Sequence, residues 1–177
     1  MIPIKSERDL KVMRKACSVA ATVLDRLCKV AREGVSTLEI DMAAKKIMSE
    51  LSCRSACYHY RGPDSRYPGY VCISVNDQVI HGIGSADRIL KSGDIVSMDV
   101  SVVYQGFVGD NTRTVFIGEV APETRKLVEA TDIALHKGIA AARAGNRVGD
   151  ISAAIQAYVE SCGYGIVEEF TGHGVGR

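Results

Sequence analysis

The sequence predicts an α+β protein in which helices flank a strand-rich middle. Three observations predict it. Apolar residues recur at three- and four-residue steps over 6–32 and return in a helical segment over 122–143. Between them, "VCISV" and the stretch from 95 to 117 carry strand-type patterns. Finally, "AREGVSTLEIDMA" at 31–43 and "ARAGNRVGDISAA" at 142–154 share Ala, Arg, Gly, an acid–Ile pair and a closing Ala at a constant separation of 111 residues. That is the mark of a duplicated unit.

Each element has its own local reason. Ser6 caps the first helix, whose apolar face runs through Leu10, Met13, Cys17, Ala20, Ala21, Leu24, Leu27, Cys28 and Ala31, and Gly34 ends it. "STLE" at 36–39 is a capping box opening a second helix to about Ser52. "YHYRGPDSRYPGY" is rich in turn formers and reads as a surface loop or short ribbon. Strands follow at 71–75, 95–103 and 107–117. Pro122 opens a helix to about Arg143, another covers 148–161 before Gly163, and a short strand is expected over 165–170. The chain reads as one domain, 1–177, with an N-terminal half over 1–120 and the start of a second half over 121–177. A long strand-rich stretch follows the first copy of the repeat and only a short tail follows the second. The second half is therefore expected to be incomplete, with apolar surface left uncovered.

Composition narrows the function classes. Lys+Arg at 22 against Asp+Glu at 21 leaves a net charge of +1 over 177 residues, with no electrostatic footprint for nucleic acid. No apolar stretch reaches membrane-spanning length, and the start turns charged too soon for a secretory signal. Six cysteines without a CxxC pair suggest reduced thiols in a cytoplasmic protein.

The chemistry centres on "DVSVVYQGFVGD". A two-residue loop at Tyr104–Gln105 would set Asp99 directly opposite Asp110 on one face, whereas a bulged loop including Gly106 would shift the register by one residue. Ser97, Ser101, Thr112 and Thr114 share that polar face, and Val96, Met98, Val100 and Val102 point to the core. Like charges opposed on a sheet destabilise it unless a divalent cation lies between them. His173 in "TGHGVGR" offers an imidazole between glycines. Three such side chains could hold one metal ion, seldom two. His81 in "VIHGIG" reads equally as a substrate-touching imidazole or as a surface histidine.

"SVNDQVIHGI", "LKSGDIVSMDVSVVYQGFVGDNTRT" and "GHGVGR", in this order, together resemble the type I methionine aminopeptidases of the bacterial kind. The resemblance implies the pita-bread fold of two pseudo-symmetric halves and a dinuclear metallo-exopeptidase that removes the initiator methionine from nascent chains. It implies that Asp99 chelates one metal, Asp110 bridges both, His173 binds the other, and His81 contacts the substrate and helps stabilise the reacting peptide. It also implies two divalent ions drawn from Co, Mn, Fe, Zn or Ni, a bridging water as nucleophile, and action near the ribosome by a protein that is monomeric when full length. Cys57, Tyr60, Tyr67 and Cys72 stand in the segment that lines the family's methionine pocket, here several residues longer than usual. Gly84 stands where the family commonly has proline.

The family takes two further ligands from glutamates, and a second substrate-contacting histidine, from positions past Arg177. Glu168 and Glu169 do not match them. The 177-residue polypeptide alone is therefore expected to bind metal weakly and to be weakly active or inactive. The alternatives are an Xaa-Pro peptidase of the same fold, which "DNTRT" also suits, and a non-catalytic binding module.

Overall fold

The structure, a computed structural model, describes residues 4–61 and 66–177. These fall into two compact units. One runs through Val120 and includes Gly174–Arg177; the other is Ala121–His173.

In the first unit, α1 (Glu7–Cys28) starts at Ser6, whose hydroxyl accepts from Asp9 N while the Asp9 carboxylate accepts from Ser6 N, both at 3.2 Å. It buries Ala16, Val19, Ala20, Val23, Leu24 and Leu27, a stripe at three- and four-residue steps. Full burial of a Leu side chain is worth about 1.5–3 kcal/mol, so this stripe anchors the helix. The helix ends at Cys28 rather than at 32, because Val30 N and Ala31 N both turn back to the Leu27 carbonyl. α2 (Thr37–Glu50) begins at Ser36, with Glu39 completing the capping box, and packs Ile40, Ala44, Ile47 and Met48 into the same core.

The sheet is antiparallel, with β3 (Ile95–Tyr104) at its centre. β1 (Arg54–Ser55) and β2 (Cys72–Val75) lie in line along one edge of β3, and β4 (Phe107–Phe116) lies along the other. Val96, Met98, Val100 and Val102 alternate into the core as expected. The 56–71 excursion between β1 and β2 folds back as a short ribbon, with Tyr67 N donating to the Tyr60 carbonyl at 2.9 Å and Arg61 forming a β-bridge with Arg66, and 62–65 lie outside the described residues.

The hairpin register differs from the sequence expectation. Tyr104 faces Phe107, so the loop is Gln105–Gly106 and Asp99 faces Thr112 while Asp110 faces Ser101. The turn decides this. Gln105 has φ +48° and Gly106 has φ +81°, the two left-handed positions of a type I′ hairpin, which favour a glycine second and which Tyr–Gln would not supply. The slip is of two residues, not one, so each side chain keeps its face.

In the second unit, α3 (Pro122–Ala141) packs against α4 (Val148–Ser161), with Gly138 letting Ile151 and Ile155 approach closely. The repeat is visible in the backbone. α2 and α4 begin and end at positions 111 apart, Gly34 and Gly145 both have positive φ before them, and Ser52 and Gly163 have it after them. Asp150 accepts from Arg147 N at 2.7 Å as Glu39 does from Ser36 N at 2.8 Å. Arg147 lacks a hydroxyl, so only the carboxylate half of the box survives in the second copy. The strand expected over 165–170 is absent: those residues carry no strand, and an apolar run becomes one only beside a paired neighbour.

Candidate active site

The polar face of the sheet is built from three strands. Cys72 and Ser74 of β2 face Asp99 and Ser97 of β3, which face Thr112 and Thr114 of β4. Ser97 Oγ and Thr114 Oγ1 lie 3.1 Å apart, closing one end of this face. Asp99 and Asp110 are diagonal neighbours on it, close enough for their carboxyl groups to interact directly. Asp99 is half-buried, and its carboxyl is pushed up first by burial and then by the negative charge of Asp110. The Thr112 hydroxyl and the nearby His81 oppose the rise.

Beside the carboxylates lies a sulfur–phenol cluster. Cys57, at the start of the excursion, meets Cys72, and Tyr67 meets Cys72 from the far end of that excursion. Contact with Cys72, then burial, then the charge of Asp99 push the Cys57 thiol up. Contacts with Cys57 and Tyr67 draw Cys72 down, against its burial. Burial, then contact with Cys72, pushes the Tyr67 hydroxyl up. Cys57 and Tyr67 therefore keep their protons beside the Cys72 sulfur. Tyr60 does not join them: its side chain is 69% exposed.

His81 is exposed, lies in the loop after β2 and has φ +57°. His173 is exposed and closes the second unit. Gly174, next along the chain, opens the tetrapeptide grouped with the first unit. There the Gly176 carbonyl accepts from Val108 N at 2.8 Å, and Arg177 donates to Asp9 at 2.8 Å and covers the Phe107 ring. The structure thus brings together Asp99, Asp110, His81, Cys57, Cys72 and Tyr67. Among the described residues, no group of three or more His, Cys, Asp and Glu side chains is arranged to hold a metal ion. The carboxylate pair nevertheless suits one: two hard oxygen donors, half-buried, held in mutual repulsion on one face.

Sequence reasoning missed Asp41. It sits on the buried face of α2, and its Oδ1 accepts from Tyr70 N at 2.7 Å and Val71 N at 3.1 Å, the residues just before Cys72. Burial pushes its carboxyl up against those two hydrogen bonds. The available signal was an acid among Ile40, Ala44, Ile47 and Met48, inside the apolar stripe.

Residues 11–177 match metallopeptidase family M24. The methionine aminopeptidase of Aquifex aeolicus is 39% identical over 178 residues, a match covering 99% of this chain and 69% of the relative. The crystal structure of methionine aminopeptidase from Rickettsia prowazekii superposes with a TM-score of 0.94 at 37% identity, covering 99% of this chain and 69% of that one. An Xaa-Pro dipeptidase from Bacillus anthracis superposes at 0.81 with 23% identity, over 98% of this chain and 46% of its own, and shows the shared pita-bread fold alone. Identity and fold together make the chain a member of metallopeptidase family M24, and within that family of the metal-dependent methionine aminopeptidases.

Proposed function

We propose that this chain carries the methionine-removing site of a cytoplasmic dinuclear peptidase acting on the N-termini of nascent proteins near the ribosome, its two units being successive halves of one domain. The observation that carries the reading is the half-buried carboxylate pair, Asp99 and Asp110, with His81 and a wall of two cysteines and a tyrosine beside it. Asp99, Asp110 and His173 would hold the divalent ions, Asp110 being shared between two. Such ions, drawn from Co, Mn, Fe, Zn or Ni, supply Lewis acidity that polarises a peptide carbonyl and acidifies water.

The chain's own groups do the rest. Cys57, Cys72 and the Tyr67 ring offer soft, polarisable surface to an unbranched thioether side chain, with Tyr60 at the rim. His81, exposed at the edge of the carboxylate face, donates a hydrogen bond to the substrate peptide and stabilises charge as it develops. Two carboxylates and one imidazole are few donors for two ions, so the 177-residue polypeptide by itself is expected to bind metal weakly and turn over slowly.

Incubating the metal-loaded protein with Met-Ala-Ser and with an Ala-Pro dipeptide tests this. Slow methionine release that needs divalent metal, is lost in Asp99→Ala and is not matched by cleavage of Ala-Pro is the expected result. Preference for Ala-Pro, or release indifferent to chelator, would contradict it.

A further inference from the structure

His81 occupies the left-handed backbone region, which a bulky L-residue keeps only when its surroundings hold it there. The next residue shows what holds it. Gly82 N donates to Ser74 Oγ at 3.1 Å, and the Gly82 carbonyl accepts from Ile73 N at 2.8 Å. The loop is pressed so hard against β2 that a Cβ at position 82 would fall 2.1 Å from the Ile73 carbonyl oxygen. The same Gly82 carbonyl also accepts, at 2.7 Å, from the hydroxyl of Tyr67, which reaches it from the opposite loop. That hydroxyl is shared with the Val71 carbonyl at 3.2 Å, so its orientation is fixed from two sides. Tyr67 thus meets both Cys72, on the side of the proposed pocket, and the His81 loop through its hydroxyl.

We propose that Tyr67 is a positioning residue for His81: its hydroxyl, through the Gly82 carbonyl, holds the imidazole at the carboxylate pair, and its contact with Cys72 ties that position to the pocket. The inference rests on the roles proposed above for His81 and for the pocket. It goes beyond them by making one tyrosine hydroxyl the link between the pocket and the imidazole.

Tyr67→Phe breaks this link while keeping the ring in place, and Gly82 retains Ile73 N as a donor. In the metal-free 177-residue protein, followed by NMR, the variant is expected to move the His81 ring signals and to speed hydrogen exchange of the Ile73 and Gly82 amides. The Val100 and Val102 amides of β3 should stay unchanged. His81 signals and loop amides that match the wild type would overturn the proposal.

In the metal-loaded protein acting on Met-Ala-Ser, loss of one such hydrogen bond is expected to lower kcat about five- to tenfold and leave KM unchanged. It should add nothing to a His81→Ala background, since a residue that acts through another is silent once the other is gone. A raised KM at constant kcat, or additive losses, would reduce Tyr67 to a pocket wall and overturn the proposal. If the wild type releases no methionine, the NMR comparison alone decides whether the tyrosine holds the histidine loop.

Discussion

Among single residues, Asp99 is held under electrostatic tension, because burial and Asp110 both oppose its ionisation. A carboxyl whose folded pKa lies above its unfolded one binds more protons folded than unfolded between the two values. Stability then falls as pH rises through that window, and at neutral pH the whole penalty is present. Asp99→Asn removes it, so in chelator the variant is expected to melt higher than wild type at neutral pH and to lose that fall on the acid side. Relief of like-charge repulsion on a sheet is worth about 0.2–1 kcal/mol. A variant that melts lower at neutral pH would contradict this. Asp41 behaves in the opposite way, since its one oxygen serves two backbone amides. Asp41→Asn keeps a carbonyl in place and is expected to be nearly neutral in urea unfolding, whereas Asp41→Ala should cost about 1–3 kcal/mol for each buried N–H left unpaired. Equal losses in the two variants would show that packing, not hydrogen bonding, is what Asp41 supplies.

The hairpin shows, at the element scale, what the sequence could and could not reveal. Alternation assigned Asp99, Asp110, Ser97 and Thr114 to one face and the four core residues of β3 to the other, and the structure agrees. Register was not legible from alternation, because a two-residue slip preserves every face. Only the turn type fixes it, through Gln105 and Gly106 at positive φ. Gly106→Ala is therefore expected to destabilise the first unit by about 1 kcal/mol or more, since a Cβ is disfavoured at φ +81° even though nothing lies within 4 Å to clash with it. An unchanged urea midpoint would contradict the turn assignment. Helix starts were legible because caps are local: Ser6, Ser36 and Pro122 act on their own first turns. The expected strand at 165–170 failed because pairing is not local. Neither the Tyr67–Gly82 contact nor those of Asp41 could be read in advance, as each joins residues 15 or more apart in sequence.

At the scale of the whole molecule, the duplication sets two similar helix pairs in different surroundings. α1 and α2 bury their apolar stripes against the sheet, whereas α4 buries no residue and Leu135 and Ile139 of α3 are 51% and 60% exposed. Exposed apolar area of this kind promotes association. The 177-residue protein is expected to bind a hydrophobic dye and to self-associate in light scattering, and Leu135→Glu with Ile139→Glu should diminish both. No change in either signal would contradict the surface described. The two aspartates and their shared face were legible because they lie within one hairpin; the imidazoles come from distant stretches of chain, where sequence gives residue type but not meeting point.

The central claim is that the Asp99–Asp110 face is a divalent cation site, and thermal unfolding with and without Mn²⁺ or Co²⁺ tests it most directly. A ligand that binds only the folded state stabilises it by mass action. Either ion is expected to raise the melting temperature of the wild type and to leave that of Asp99→Asn and Asp110→Asn where it was. A metal-induced rise that survives in both variants, or a wild type indifferent to millimolar metal, would contradict it.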